Sequence, residues 1–502
     1  MKAGQDSRDS MSEAPPPPNH SPDSFARSVR SAVIWRSGSQ IAAQLLQWAA
    51  TFLVIRILSP ADYGLFAMAQ VVLVFLNMLN GYGLASGLVQ RPEVTDREIR
   101  QLFGMLILVN AALALVQLAL APLAAAYYRQ PQVAQLLTVQ ALIYATTPFI
   151  ALPSALLARA MEFRAQAKVN ILASLASAST ALGGALAGWG VWTLVAAPIV
   201  LFAVRGAGLT AVARTFVWPS FDFRGAGALA RYGGLMAAGQ LFWFGQSQAD
   251  VLIAGRHLDA HDLGLYTTAV FLTQIFVSKV VPPLNEVAFS AYARIQDVPG
   301  AAAAAFVKSV RVIFAAALPF YLGLAATAEP LVLTVLGPKW AEAAPVVRLL
   351  ALAMPMMTLQ VLFSPVCDAL GRPDIGVRNG AVGAAVLTAG FLFGVHWGAQ
   401  GLAVAWILAY PIYLLASCRR SLPVIGARGR EVARAIAPVA LAAAGMAAVV
   451  LALDAALPPL AVPVRLAVLV LAGALSYPVA LALVARDRVR ELVALVRRPV
   501  AG

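Results

Sequence analysis

The sequence predicts an all-α protein that crosses a membrane many times, and three observations carry that prediction. Hydrophobic residues make up 60% of the 502 and charged residues only 12%, about half the roughly 25% of soluble chains. The mean hydropathy is +0.78. The apolar residues also fall into runs of the ~20 residues that a helix needs to cross a ~30 Å hydrocarbon core. A globule this apolar lacks polar atoms to cover its own surface, so the chain belongs in lipid. There the backbone must satisfy its own hydrogen bonds, which makes the runs helices.

Taken in order, the runs give about fourteen spans, at roughly 38–58, 63–88, 102–126, 133–157, 168–188, 191–213, 228–255, 263–288, 304–326, 344–370, 375–396, 399–417, 435–455 and 464–485. Leu331–Leu336, ahead of the tenth, reads as a half-dipping turn. Residues 1–30, with Pro15–Pro18, form a polar tail expected to be disordered and cytoplasmic. It lacks the charged start, apolar middle and small-residue cleavage site of a secretory signal. The loops are too short to hold an extramembrane catalytic domain. Cys367 and Cys418 offer neither a disulfide framework nor metal-site spacing.

The formal charge of +14 would suggest nucleic acid in a soluble protein. Here the basic residues lie between apolar runs and follow the positive-inside rule instead. With the N-terminus placed inside, 29 of the 37 Lys and Arg fall on one side. Six fall on the other (Arg56, Arg129, Arg256, Lys339, Arg348 and Arg465), and Arg205 and Lys279 remain within spans. A wrong span count would swap sides partway along and blur this bias. It therefore supports fourteen spans with both termini cytoplasmic.

The chain also repeats itself. Arg56-Ile-Leu-Ser-Pro-Ala-Asp-Tyr-Gly-Leu-Phe66 aligns without gaps on Arg256-His-Leu-Asp-Ala-His-Asp-Leu-Gly-Leu-Tyr266, with five identities in eleven positions. Gln40 and Gln240 extend the match, and Leu157-Ala-Arg159 echoes Leu370-Gly-Arg372. Six spans separate the copies, so both halves point the same way, as parallel repeats around a central cavity do. The expected organisation is a six-helix bundle over 31–213, a cytoplasmic linker over 214–231 and a second bundle over 232–420. Two extra helices over 421–485 and a basic tail over 486–502 complete the chain. Within the motif, Asp62 and Asp262 read as caps for exposed helix N–H groups, and Gly64 and Gly264 as tight starts to the next helix.

These residues resemble a known family. Leu58-Ser-Pro-Ala-Asp-Tyr-Gly-Leu-Phe66 and Gly83-Leu-Ala-Ser-Gly-Leu-Val-Gln-Arg91 are similar to polysaccharide-exporting flippases of the multidrug/oligosaccharidyl-lipid/polysaccharide exporter superfamily. So are Gly190-Val-Trp-Thr-Leu194, Asp250-Val-Leu-Ile-Ala-Gly-Arg256, Gly337-Pro-Lys-Trp340 and Leu370-Gly-Arg-Pro373. The resemblance runs from about residue 30 to 420, and the Pro-rich tail departs from it. It implies a transporter, not an enzyme. Its work would be to carry polyprenyl-diphosphate-linked oligosaccharides from the cytoplasmic to the periplasmic leaflet by rocking two bundles. The partners would be that lipid-linked glycan, membrane lipids, and a polysaccharide polymerase with its export machinery, with no nucleic acid. No cofactor is implied, and the sequence lacks a phosphate-binding loop of the Gly-x4-Gly-Lys-Ser/Thr kind.

Such cargo requires a wet and locally cationic cavity. Charges at mid-bilayer cost about 2.5–3.5 kcal/mol on insertion scales, which makes intramembrane basic residues functional candidates. Arg205 and Lys279 fall roughly 21 and 24 Å from the outer ends of their spans at about 1.5 Å per residue, one in each bundle. They are candidates for holding the diphosphate; the alternative is snorkelling to headgroups. Gln40, Gln44 and Gln47, with Gln240, Gln246 and Gln248, either line a sugar path or bond between helices. Asp250 either carries a coupling proton or cation, or caps and pairs locally with Arg256. Trp48, Phe242, Trp243 and Phe244 could stack on sugars, although packing is the commoner use. His257, Asp259, His261 and Asp262 look like a metal cluster but lack a regular helix to align them, so no metal site is expected. The rivals are a peptidoglycan-precursor flippase or an ion-coupled small-molecule exporter on the same fold. A membrane glycosyltransferase, polymerase or ligase is disfavoured by the short outer loops.

Overall fold

The computed structural model describes residues 44, 47–79, 94–214, 217–222 and 244–484. The tails, Gln40, Gln240, Phe242 and Trp243 lie outside the described residues. Among the described residues there is no strand, and a helix stands at each of the fourteen expected places. The first half holds α1 (Gln47–Ile57), α2 (Pro60–Asn77), α3 (Asp96–Tyr128), α4 (Pro131–Arg159), α5 (Phe163–Leu186) and α6 (Val191–Ala213). The second holds α7 (244–257), α8 (Ala260–Lys279), α9 (Ala301–Ala326), α10 (Ala343–Ala369), α11 (Pro373–Gly394) and α12 (Gly398–Ile425). α13 (Gly429–Ala456) and α14 (Val462–Val484) follow. Eleven continuous helical stretches among the described residues are long and apolar enough to cross a membrane.

Local chemistry sets the starts and breaks. Ser59 caps α2 through a hydrogen bond to the Asp62 N–H, and the Asp62 carboxylate returns one to the Ser59 N–H at 3.0 Å. Thr95 and Glu98 repeat this capping box at α3. At α8 the corresponding cap is Asp259, which accepts from the Asp262 N–H at 2.8 Å. The caps are therefore Ser59 and Asp259; Asp62 and Asp262 sit inside the first turn, where a carboxylate also meets the positive helix end. α8 stops at Lys279 and resumes as Val281–Ile295, because Pro282 and Pro283 supply no N–H groups and crowd the preceding turn. The turn expected at Leu331–Leu336 is a short helix, Ala328–Val335.

Each half packs in its own sequence neighbourhood, α3 on α4, α5 on α6, α11 on α12 and α9 on α10. The halves meet where α2 crosses α8. At the crossing Gly64 lies so close to its partner that a Cβ there would stand 1.8 Å from the Ala260 carbonyl oxygen. A Cβ on Gly264 would stand 1.8 Å from that of Pro60. These glycines permit backbone-to-backbone contact, not merely a tight helix start. Both lie near the N-termini of their helices, so the two helices begin at the same end of the molecule. The repeats are parallel, as two upright halves require.

Outer surfaces match a lipid solvent. On α14 Leu471, Leu475, Val479 and Leu483 are 60–73% exposed, a run of apolar side chains that water would not tolerate at this scale. α13 covers α9 and α14 covers α13, which places the two extra helices against the second half, away from the crossing.

Candidate functional site

Beside the α2–α8 crossing, between the halves, lies a cavity of about 580 Å³, within the ~300–1,000 Å³ range of small-ligand sites. α1, α2, α5 and α6 line it from the first half, and α7 and α8 from the second. Most of its exposed wall is apolar, and the polar groups set into it are almost all uncharged. They include Gln47, Thr51 and Gln70, then Ser174, Ser177 and Thr193, and on the far side Ser247, Gln248, Thr267, Thr268 and Gln274. Tyr63, Phe66 and Phe271 supply aromatic faces. Among the described lining residues Asp250 is the single charged side chain.

Asp250 is buried, 4% exposed, and held from two sides. The Tyr266 hydroxyl donates to its Oδ2 at 2.8 Å, and the Val251 N–H reaches its Oδ1 at 2.8 Å. Tyr266 in turn accepts from the Trp406 indole N–H at 2.8 Å. Each contact is a donor aimed at the carboxyl group or at its partner, so the buried group is satisfied. The expected pairing with Arg256 is not formed. Arg256 Nη1 donates 2.6 Å to the Tyr127 carbonyl and its guanidinium lies over the Tyr127 ring.

That contact belongs to a reciprocal set at the end bearing the 57–60 and 257–260 turns. Arg56, at the close of α1, donates to the Thr334 carbonyl of the second half. Arg256, at the close of α7, donates to the Tyr127 carbonyl of the first. Lys339 Nζ donates to the Ile57 carbonyl at 3.0 Å, and the buried Trp340 indole N–H to that of Ile55 at 2.9 Å. Helix C-termini leave carbonyls without intrahelical partners. The Ser59 N–H, which would otherwise reach Ile55, is engaged by Asp62. Trp340 and Lys339 therefore complete the end of α1 from across the halves, and the Tyr128 ring packs on Gly255 at the matching place of α7. The motif arginines thus fasten each half to a helix end of the other.

The other sequence-predicted residues are placed as follows. Arg205 is half-buried on α6 and does not line the cavity, but it sits one turn beyond Leu201 on the face that does. Its Nε is buried without a hydrogen-bond partner. Lys279 is exposed at the last residue of α8, five residues past Gln274. Neither lines the cavity, and no Lys or Arg stands among its described lining residues. Gln44 is half-buried one turn before Gln47. Gln246 donates to the Tyr413 hydroxyl at 3.2 Å, inside the second half rather than in the cavity. Phe244 packs on Phe75. Asp259, His261 and Asp262 do bring ligand atoms within 4.8 Å of one another, but Asp259 is committed to its cap and the group is exposed. Sequence reasoning missed Gln70 and Gln274, and the hydroxyls of α5 and α6. The available signal was their spacing: Ser174, Ser177 and Ala181 share one helical face, as do Gln70 and Val74.

The comparisons with known proteins agree with this architecture. The polysaccharide biosynthesis protein family matches residues 53–345. The succinoglycan biosynthesis transport protein ExoT of Rhizobium meliloti (strain 1021) is 28% identical over 382 residues, covering 76% of this chain and 77% of its own. The lipopolysaccharide biosynthesis protein WzxC of Escherichia coli (strain K12) is 23% identical over 384 residues, covering 75% and 77%. Among solved structures, the lipid II flippase MurJ in an inward closed conformation shares the fold, with a TM-score of 0.74 at 12% identity over 91% of this chain and 100% of that one. The chain belongs to the polysaccharide biosynthesis protein family and is a multi-pass membrane transporter.

Proposed function

We propose that the protein is a flippase that moves polyprenyl-diphosphate-linked oligosaccharide repeat units from the cytoplasmic to the periplasmic leaflet of the bacterial inner membrane. The product would supply surface polysaccharide synthesis: exopolysaccharide, capsule or O-antigen. The observation that carries the reading is the cavity between two upright halves, with amide and hydroxyl side chains and one carboxyl group set into its wall, fastened at one end by reciprocal contacts. A sugar-diphosphate head cannot cross hydrocarbon unaided, whereas a polyprenyl tail stays in lipid throughout. A polar space that opens alternately to each side is what the head needs, and two halves pivoting about a glycine crossing would provide it. The names of ExoT and WzxC support the polysaccharide assignment.

In this reading the fastened end is periplasmic and both termini are cytoplasmic. The N-terminal bundle spans 31–213 and the C-terminal bundle 232–420, joined by the 214–231 linker. Arg205 and Lys279 meet the diphosphate on its way in, with Gln40, Gln44, Gln240 and Gln246 along the helices that flank the path. Arg205 has the stronger support, since its guanidinium continues the cavity-facing stripe of α6 and keeps an unpartnered N–H. Asp250 carries the coupling proton or cation. A polysaccharide polymerase and export machinery receive the product.

Deleting the protein and locating the accumulated lipid-linked glycan tests the proposal. Accumulation at the cytoplasmic face is the expected result. Accumulation at the periplasmic face would refute flipping and point to a polymerase or ligase.

A further inference from the structure

The segment that leaves the first half is strapped to the outside of it. Residues 217–222 run across the foot of α3. The Ser220 N–H donates to the Arg100 carbonyl at 2.9 Å, and Arg100 Nε donates to the Trp218 carbonyl at 3.1 Å. Gln101 Nε2 donates to the Asp222 carbonyl at 2.6 Å, and Arg97 pairs with the Asp222 carboxylate at 3.0 Å. Gly104 completes the seat, since a Cβ there would stand 2.2 Å from the Ser220 carbonyl oxygen. The strap spends its polar groups on α3 and leaves its aromatic rings outside. Trp218 is 82% exposed, more than any other large apolar side chain among the described residues, and Phe221 is 55% exposed.

The strap crosses the face of α3 that meets lipid. Arg97, Gln101, Gly104, Leu108, Ala111 and Leu115, spaced four and three apart, form one helical stripe, and on it Leu108 and Leu115 are 47% and 68% exposed. Depth follows from the same helix. From Arg100 to Arg129 α3 rises about 44 Å at 1.5 Å per residue, which matches a bilayer with its headgroups, about 40–45 Å. The strap touches α3 between Arg100 and Gly104, so it lies within about 6 Å of one headgroup layer, at the end away from the fastened turns. An indole is most at home there, with its ring in the acyl boundary and its N–H among polar groups. Arg100 and, three residues before the strap, Arg214 are exposed, so cations at its edge match the phosphates of that layer. We propose that residues 217–222 form an interfacial anchor whose partner is the phospholipid of that leaflet, with Trp218 and Phe221 seated at the headgroup–acyl boundary. The beginning of the linker then belongs mechanically to the first half and holds it at a fixed height in the bilayer.

Fluorescence quenching of purified full-length protein in phospholipid nanodiscs tests the anchor. The chain has nine tryptophans, so the emission of Trp218 is isolated by subtracting that of Trp218→Phe, or of Trp218→Tyr should the first variant fail to fold. The discs contain phospholipid brominated either beside the headgroup or near the chain ends, and iodide is the aqueous quencher. Shallow bromines should lower the Trp218 emission by roughly twofold or more, with little effect from deep bromines or iodide, as seating about 5–10 Å into the boundary requires. Gly104→Ala drives its Cβ into the Ser220 carbonyl and should lift the strap, weakening the shallow quenching. Arg97→Ala with Gln101→Ala, which removes two bonds to Asp222, should do the same if the alanine at 104 prevents folding. Emission quenched by iodide and by neither lipid would place Trp218 in water and overturn the proposal. Emission untouched by all three quenchers would place it under protein, a second copy or another stretch of this chain, and would overturn it equally. Shallow quenching that survives in the strap variants would overturn the seat on α3. None of these outcomes bears on flipping, which stands or falls separately.

Discussion

Replacing Gly64 or Gly264 with alanine should unfasten the crossing of α2 and α8. The added Cβ at either position would sit 1.8 Å from a backbone carbonyl oxygen of the other half. The closest comfortable carbon–oxygen approach is about 3.3 Å, so the helices must separate by roughly 1.5 Å at the contact. Neither the carbonyl of Ala260 nor that of Pro60 can rotate aside, because each belongs to the first turn of a helix. Overpacking of this kind costs about 1–3 kcal/mol. Spent against the fastened state, that is a shift of about 5- to 150-fold toward its opening. The assay is thiol labelling: Cys367 and Cys418 are removed, Gln70→Cys reports from the cavity wall, and a membrane-impermeant maleimide is added from the face bearing the 57–60 turn. Labelling should be at least several-fold faster in either alanine variant. The two sites share one crossing, so the double variant should cost less than the sum of the singles, the second methyl using space that the first has opened. Labelling unchanged from the parent in both variants would refute the reasoning.

Other contacts give further expectations. Trp340→Phe keeps the ring against Tyr63 but removes the N–H that reaches the Ile55 carbonyl; a loss of about 1–3 kcal/mol for the buried acceptor should appear as a lower unfolding temperature in detergent. Tyr266→Phe leaves both the Asp250 carboxylate and the Trp406 indole N–H without their shared hydroxyl. It should destabilise by about 2 kcal/mol or more, whereas Tyr63→Phe, whose ring contact survives, should cost less in the same thermal assay. Lys279→Met should reduce glycan export with membrane insertion unchanged, as measured by surface polysaccharide yield against protein abundance; equal export would remove Lys279 from the path. Arg205→Gln should weaken binding of a prenyl diphosphate in a nanodisc titration, and an unchanged affinity would leave Arg205 a snorkelling residue.

The helices were legible because lipid imposes a single rule: about 20 apolar residues per crossing. The repeat was legible because the crossing it encodes tolerates only glycine, which kept Gly64 and Gly264 in register 200 residues apart. The cavity was harder to read, for a physical reason. Serine, threonine and glutamine within a membrane helix serve equally to bond a neighbouring helix or to face a wet space. Spacing on one helix shows a stripe but not what the stripe faces. Thus Gln246 and Gln248, two residues apart, divide between the interior of the second half and the cavity. Charge was misleading in the same way. Arg256 and Asp250 lie six residues apart on one helix, yet each finds its partner on another element.

The two halves agree and differ in separate places, and the division follows mechanics and chemistry. Arg56 and Arg256, Leu58 and Leu258, Asp62 and Asp262, and Gly64 and Gly264 coincide, and they build the fastened end, where each half docks on a helix terminus of the other. Two like bodies docked on each other make equivalent contacts, so the frame holds these positions alike. On the cavity face the copies part. Ala50 stands opposite Asp250 in the repeat, Phe66 opposite Tyr266, and Val74 opposite Gln274. Asp250 and Tyr266 are hydrogen-bonded to each other, and both are replaced by apolar residues in the first half. That is what a buried pair demands, because one member without the other would be left desolvated and unsatisfied. The divergence is therefore a single exchange of a bonded unit. It gives two matching halves one chemically distinct wall, in which the carboxyl group of Asp250 has no charged counterpart among the described lining residues of the first half.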